Sequence, residues 1–172
     1  MRNWILLLAA VALAAGCSTK ITSSGSMGDR LASGEKILIA IPTDGSYEGQ
    51  IYSGSGTEAA NRLRTALSPR AATIALSSAG GGKVPAALKE GAAQGCRYVI
   101  HPEITHWEHR RAAWSGRPTK VSFFVTVYDL KAGSQPVLQR SLDARGRIMT
   151  FVSQFPADIA EAMFKDFVAE VF

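Results

Sequence analysis

Short apolar runs alternate with helical patterns in the first half of the chain. KILIAIP (residues 36–42) and ATIALSS (72–78) have the length and the continuous apolar character of buried strands. Between them, GTEAANRLRTAL brings small and apolar residues to one helical face, with Thr57 as the expected N-cap. A second helix is predicted over about 84–94, with Gly95 just past its end. This part of the chain therefore predicts two β-α units.

The second half of the chain has the two-residue alternation of strands. In CRYVIHPEITHWE, Tyr98, Ile100 and Ile104 share one face. Pro102 indicates a sheet edge or a bulge, because proline has no N–H to donate. KVSFFVTVYDL and PVLQRSLDARGRI are predicted to form an antiparallel hairpin around the turn KAGSQ. The apolar face of its first strand consists of Val121, Phe123, Val125 and Val127.

The last helix is predicted to begin at Pro156, and its apolar stripe is wide enough to cover a core. The stripe consists of Ile159, Ala160, Met163, Phe164, Phe167, Val168 and Val171. The predicted order is β-α-β-α-β-β-β-α, which indicates a single α/β (α+β) domain over residues 36–172, with a mixed sheet and packed helices. This length and the 47% of hydrophobic residues are sufficient for one core.

The N-terminal segment MRNWILLLAAVALAAGCSTK has one basic residue and then an apolar run too short for a membrane-spanning helix. This is typical of a signal peptide, here over residues 1–16. The small residues before Cys17 resemble the bacterial lipobox, so Cys17 is the residue expected to receive a diacylglycerol. The alternative is cleavage by the ordinary signal peptidase, which leaves Cys17 as a free thiol. Ser18, in place of the aspartate that retains lipoproteins in the inner membrane, predicts anchorage to the outer membrane with the domain facing the periplasm.

Residues 17–35 are then predicted to be a lipidated N-terminus and a flexible tether, since ITSSGSMGDRLASGE is rich in Ser and Gly. With Cys17 acylated, Cys96 has no disulfide partner and is expected to be a small buried thiol. The formal net charge of +5 falls by one unit when Arg2 leaves with the signal peptide. This charge is too small for a nucleic-acid-binding protein and suits anionic envelope partners such as lipid phosphates, lipopolysaccharide or peptidoglycan.

The segment HWEHRRAAWSGRPTK (106–120) concentrates tryptophan and basic residues just before a strand. One interpretation is a structural hairpin, in which Trp107 and Trp114 pack against the sheet and the arginines are solvated or lie over an indole ring. The other is a binding patch, because aromatic and arginine side chains are enriched at the centres of interfaces. The candidate binding patch consists of Arg110, Arg111, Trp114, Arg117 and Lys120.

No metal site and no cofactor are predicted. His101, His106 and His109 are spaced so that His106 falls on the opposite face of a regular strand from the other two, and no paired cysteines accompany them. No Gly-x-Ser-x-Gly motif is present, and we expect a protein that is not an enzyme. The glycine-rich stretch 53–56 precedes a helix whose first amides could bind an anion, although a flexible turn explains it equally well.

The hairpin segment is similar to one in a family of Gram-negative lipoproteins of unknown function. The matching positions are Trp107, Glu108, Trp114, Ser115, Gly116, Arg117, Pro118, Tyr128 and Asp129. The order of elements, together with the lipobox, resembles the small periplasmic α/β fold of the TolB N-terminal domain and of the peptidoglycan-synthase activator LpoB. The resemblance implies a fold and a compartment, and no activity.

The sequence thus favours an outer-membrane-anchored lipoprotein that binds or regulates an envelope protein, or a peptidoglycan-related partner, without catalysing a reaction. The alternative is a lipoprotein that recognises an anionic glycan or a phosphate-bearing envelope component through the tryptophan and arginine hairpin. An enzyme is the third hypothesis.

Overall fold

The computed structural model describes residues 20–25, 30–109, 118–133, 135–146, 148–149 and 152–172. The predicted signal peptide and Cys17 lie outside these ranges, as do Arg110, Arg111, Trp114 and Arg117 of the candidate binding patch. No helix among the described residues is long and apolar enough to cross a membrane.

The secondary structure follows the predicted order. The strands are β1 (Lys20–Ser24), β2 (Lys36–Ile39), β3 (Ser46–Tyr47), β4 (Gln50–Ile51), β5 (Thr73–Leu76), β6 (Tyr98–Trp107), β7 (Lys120–Asp129), β8 (Pro136–Arg145), β9 (Ile148–Met149) and β10 (Val152–Ser153). The helices are α1 (Ser55–Leu67), α2 (Val84–Ala93) and α3 (Pro156–Val171). The predicted α/β class, with a single domain, a mixed sheet and packed helices, is confirmed.

The central sheet has six strands in the order β1-β8-β7-β6-β2-β5. Strand β2 is parallel to both β5 and β6, whereas β6, β7, β8 and β1 pair with one another antiparallel. In β2, Ile37, Leu38 and Ile39 are fully buried, as expected for a strand covered on both faces. The pairs β3-β4 and β9-β10 stand apart from this sheet.

One face of the sheet, the core face, is covered by α1 and α3. Val121, Phe123, Val125 and Val127 point to this face and are fully buried, as the alternation predicted. The ring of Phe123 lies 4.7 Å from that of Phe164 on α3. The whole apolar stripe of α3 is buried, which confirms that this helix covers the chain's own core.

The opposite face, the outer face, is covered only in part by the described helices. Helix α2 packs over β2 and the start of β6, where Leu38, Ala87, Cys96 and Val99 form a small second core. Cys96 is buried as expected, and burial raises the pKa of its thiol above the ordinary value. Strands β7 and β8 present mainly polar side chains on this face, and two of them, Ser122 and Thr126, are buried.

The segment before β2 contributes to the fold. Residues Lys20–Ser24 form β1, which pairs antiparallel with β8. Leu31 is buried, and its N–H donates to the carbonyl of Val171 at the end of α3 (2.8 Å). These residues therefore belong to the domain, in contrast to the flexible tether that we predicted for them. The reason is that β8 would otherwise have an open edge, and any backbone can satisfy an edge strand's hydrogen-bonding groups.

Strand β6 has a bulge between Ile104 and His106. Before the bulge, Tyr98, Ile100 and Ile104 share the core face, as predicted. Strand β2 pairs with β6 only as far as Ile100, so the missing N–H of Pro102 interrupts no strand pairing. Strand β6 is nevertheless an interior strand, and its bulge lies between Ile104 and His106, so the prediction of a sheet edge or a bulge at Pro102 itself is wrong.

Truncation of Phe123 tests the assignment of the core to one face of the sheet. We expect Phe123→Ala to lower the free energy of unfolding by about 3–5 kcal/mol, because the fully buried ring leaves a cavity. Phe124→Ala is the matched control, since Phe124 lies on the outer face and is only partly buried. Urea denaturation measures both variants, and equal losses would contradict the assignment.

Candidate functional site

Lys120 is the member of the candidate binding patch that lies within the described structure. It is the first residue of β7, and its carbonyl accepts a hydrogen bond from the N–H of Glu108 (3.0 Å). We call this end of the sheet, where β6 ends and β7 begins, the upper end. The other four members of the patch lie in the connection between these strands, outside the described residues.

Trp107 belongs to the core. Its side chain is buried, and its ring meets that of Phe123 edge-on, with 6.3 Å between the centroids. Gly45 packs so closely that a Cβ atom there would lie 2.5 Å from the Cβ of Trp107. For this tryptophan the structural interpretation of the hairpin is correct.

A groove of about 260 Å³, the polar groove, lies beside the upper end of β6. Its lining consists of Tyr47, Glu48, Gln50, Tyr52, Glu108 and His109. Glu108 is buried, and one of its carboxylate oxygens lies 3.2 Å from Nε2 of His106. The ring of Tyr47 lies 4.9 Å from that of His106. Sequence reasoning missed this groove because its tyrosines come from the β3-β4 segment, far from Glu108 along the chain.

Two basic residues lie opposite each other at the upper end, on the outer face. Lys120 on β7 pairs with Arg145 on β8 in the strand register. With Thr22 and Asp143 they border a cleft of about 380 Å³, which we call the basic cleft. The carboxylate of Asp143 accepts a hydrogen bond from the hydroxyl of Ser122 (2.6 Å). Sequence reasoning included Lys120 in the candidate binding patch but missed Arg145. The two residues are close only because of the strand register.

The N-terminus of α1 is occupied by one of the protein's own carboxylates. The N–H groups of Gly54 and Gly56 donate to the two oxygens of Asp44 (3.0 and 2.8 Å). The helix begins at Ser55, so the prediction of Thr57 as its N-cap is wrong. Asp44 satisfies these amides instead of a local hydroxyl and takes the place that an anion bound to the glycine-rich stretch would need.

The structure changes the prediction for the histidines in one respect. His101 and His106 share the outer face, because the bulge after Ile104 inserts one residue and shifts the alternation. The predicted opposition of these two side chains is therefore wrong. Among the described residues, no group of three or more His, Cys, Asp or Glu is arranged to hold a metal ion.

His101 lies beneath the glycine-rich turn that precedes α2. A Cβ atom on Gly82 would lie 3.6 Å from its Nε2 and 3.7 Å from the methyl group of Thr43. Its Nε2 atom is buried without a hydrogen-bond partner in the described structure. Burial lowers the pKa of His101 below its ordinary value, and the nearby Glu103 carboxylate opposes this shift. The folded state therefore favours neutral His101.

A family model for a domain of unknown function, DUF4823, matches residues 29–171, which include both cores and the upper end. The chain belongs to the DUF4823 family. The membership agrees with the hairpin's resemblance to a family of unknown function, and the family's description assigns no activity. No protein with a curated description matches the DUF4823 chain.

Solved structures resemble the DUF4823 domain at low sequence identity. The PelC dodecamer from Paraburkholderia phytofirmans has a TM-score of 0.68 and 14% identity, with 90% of this chain and 97% of PelC covered. A DUF330 protein from Xanthomonas campestris has a TM-score of 0.49 and 12% identity, with 84% of this chain and 86% of the DUF330 chain covered. The LpoB C-terminal domain from Salmonella enterica has a TM-score of 0.47 and 12% identity, with 74% of this chain and 88% of the LpoB chain covered. The PelC likeness shows a shared fold.

Acid titration tests the neutral state of His101. The pKa of His101 is lower in the folded state than the ordinary 6.5. The contribution of neutral His101 to stability is therefore complete above pH 6.5 and is lost as the pH falls through the folded pKa. We expect the free energy of unfolding of the wild-type protein to fall as the pH is lowered from 6.5 to the folded pKa. It should fall less steeply in His101→Gln. His109→Gln is the control and should keep the wild-type slope, because it retains His101. Denaturant unfolding at several pH values gives the slopes, and an unchanged slope in His101→Gln would refute the assignment.

Proposed function

We propose that the DUF4823 domain is the periplasmic part of an outer-membrane lipoprotein that binds or regulates an envelope component without catalysing a reaction. The apolar N-terminal run and the lipobox-like residues before Cys17 support the anchor. Several acyl chains bury many methylene groups at about 0.8 kcal/mol each, which is enough for stable anchoring.

The observation that carries the binding role is the basic cleft. Lys120 and Arg145 have the same charge and lie directly opposite each other, an arrangement that destabilises a sheet by itself. An anionic group between them relieves the repulsion through charge-assisted hydrogen bonds. The proposed contact surface combines this cleft with the candidate binding patch, of which Lys120 is already a member. The anionic envelope component would contribute phosphate or carboxylate groups.

The polar groove favours a second candidate function, the recognition of a glycan. Tyr47 and Tyr52 provide aromatic surface, while Gln50 and Glu108 provide polar groups that fix the orientation of a ligand. The volume of about 260 Å³ is at the small end of the range for ligand pockets. In this alternative the groove takes the ligand, and the basic cleft attracts its anionic groups.

The lipid anchor is tested by the intact mass of the mature protein purified from membranes. We expect a chain that begins at Cys17 and carries the added mass of a diacylglycerol and its acyl chains. Cys17→Ser should release the domain from the membrane or leave the precursor uncleaved, because the thiol is the attachment point. A mature chain without acyl mass, or one that retains residues 1–16, would contradict the anchor.

The binding patch is tested by Arg111→Ala combined with Arg117→Ala. We expect a loss of about 1 kcal/mol or less in the free energy of unfolding, because exposed charges contribute little to stability. Recovery of a partner from cross-linked envelopes should fall strongly, since charge complementarity is removed. Arg64→Ala combined with Arg70→Ala is the matched control, as both arginines are exposed and lie outside the patch. If the patch variant unfolds the domain while binding per folded molecule is unchanged, the arginines are structural.

A further inference from the structure

A row of basic positions crosses three neighbouring strands at the upper end of the sheet. Strand β1 begins there at Lys20, whose register partner on β8 is Arg145. Arg145 is in turn opposite Lys120 on β7. The row therefore joins the basic cleft to the strand through which the N-terminal segment enters the domain.

Arginines elsewhere in the sheet are satisfied within the protein. Arg97, at the opposite end, lies 2.7 Å from a carboxylate oxygen of Glu35. Arg140, on the core face, lies 3.0 Å from Glu170. Lys120 and Arg145, in contrast, form no ion pair within 4.0 Å among the described residues, although Asp143 lines the same cleft and their own charges repel each other. Asp143, the acid that lines the same cleft, accepts a hydrogen bond from Ser122, so an anion from outside the domain can supply the counter-charge.

Two large apolar side chains are also exposed at the upper end. Ile51 in β4 is 67% exposed, and Phe155, just before α3, is 59% exposed. Strand β3, the partner of β4, is held beside β6 by the contact between the rings of Tyr47 and His106. The ring of Phe155 lies 5.3 Å from that of His109, just past the end of β6. Exposed apolar residues and cations at the same end of a domain are typical of a surface that binds an anionic membrane.

The position of the proposed lipid anchor indicates that this surface contacts the membrane. Cys17 lies three residues before Lys20, and an extended chain spans at most about 3.6 Å per residue. The acylated residue is therefore within about 11 Å of the start of β1, even if the intervening chain is fully extended. So short a connection holds the upper end, and no other part of the domain, against the lipid headgroups.

We propose that the upper end is a membrane-docking surface, in which Lys120 and Arg145 bind the phosphates of anionic lipids while Ile51 and Phe155 enter the headgroup region. The orientation of this docking rests on the proposed lipid anchor. The anchor by itself holds the domain near the membrane, whereas the docking surface fixes which side of the domain faces the lipid. The opposite end of the sheet is then turned towards the periplasm.

Vesicle binding by the mature chain without acyl groups, residues 17–172 with Cys17→Ser, tests the docking surface. We expect it to sediment with phosphatidylethanolamine vesicles that contain phosphatidylglycerol, and less with phosphatidylethanolamine alone or at high salt. Lys120→Glu combined with Arg145→Glu should reduce the partition coefficient at least about tenfold, because each cation near an anionic surface contributes about fivefold. Ile51→Ser combined with Phe155→Ser should reduce binding at low and high salt alike. Thermal unfolding confirms that each variant is folded.

The matched control is Arg64→Glu combined with Lys89→Glu, which changes the net charge equally at exposed positions of α1 and α2. This control should bind vesicles almost as the parent chain does. If it loses as much binding as the variant of the basic cleft, net charge alone drives binding and the proposal fails. Saturable binding of inorganic phosphate without vesicle binding would also overturn it, in favour of a site for a small anion.

The experiments can refute the lipid anchor and the docking surface separately. An acylated mature protein whose unacylated form does not bind anionic vesicles retains the anchor and refutes docking. A mature protein without acyl mass whose chain still binds through Lys120 and Arg145 refutes the anchor and retains docking. Both experiments succeed if the lipid and the upper end act together.

Discussion

The packing of α1 and α3 against a single face of the sheet is the constraint on which the other features depend. Phe123 is central to it, because its ring contacts Phe164 on α3 and Trp107 on β6. Each fully buried side chain of this size stabilises the fold by about 1.5–3 kcal/mol. Phe123 and Phe164 are far apart along the chain, so this part of the core forms only when the last helix packs back onto the strands.

This one-sided core decides where the polar residues lie. Strands β6, β7 and β8 alternate between the apolar core face and the outer face, so their polar side chains lie mainly on the outer face, where Ser122 and Thr126 are nevertheless buried. Helix α2 covers the outer face at β2 and the start of β6, away from the upper end. The basic cleft and the polar groove are therefore both at the end of the sheet that the described helices leave accessible.

Polar contacts between residues distant in sequence supplement the apolar core. Arg140 occupies a core-face position between Leu138 and Leu142, and it is tolerated there because Glu170 on α3 pairs with it. Arg140 is buried in this pair, whereas the side chain of Glu170 remains partly exposed to solvent. Glu90 plays a similar part after β5, where it accepts hydrogen bonds from the Ser77 hydroxyl and the N–H of Ser78. The bond from Ser77 is the main reason that the pKa of Glu90 is lowered.

The amino-acid sequence by itself determined the α/β class, the order of the larger elements and the core faces of β7 and α3. These depend on the spacing of apolar residues within one element, which is a local property.

The tertiary structure alone decided the pairing of β1, since KITSS has no apolar alternation and becomes a strand because β8 offers an open edge. It also decided the face of His106, through a bulge, and the capping of α1 by Asp44. Likewise, Lys120 meets Arg145 through the register of the β7-β8 hairpin, which shifts at an irregularity between Val127 and Tyr128 and is not encoded by the alternation within either strand.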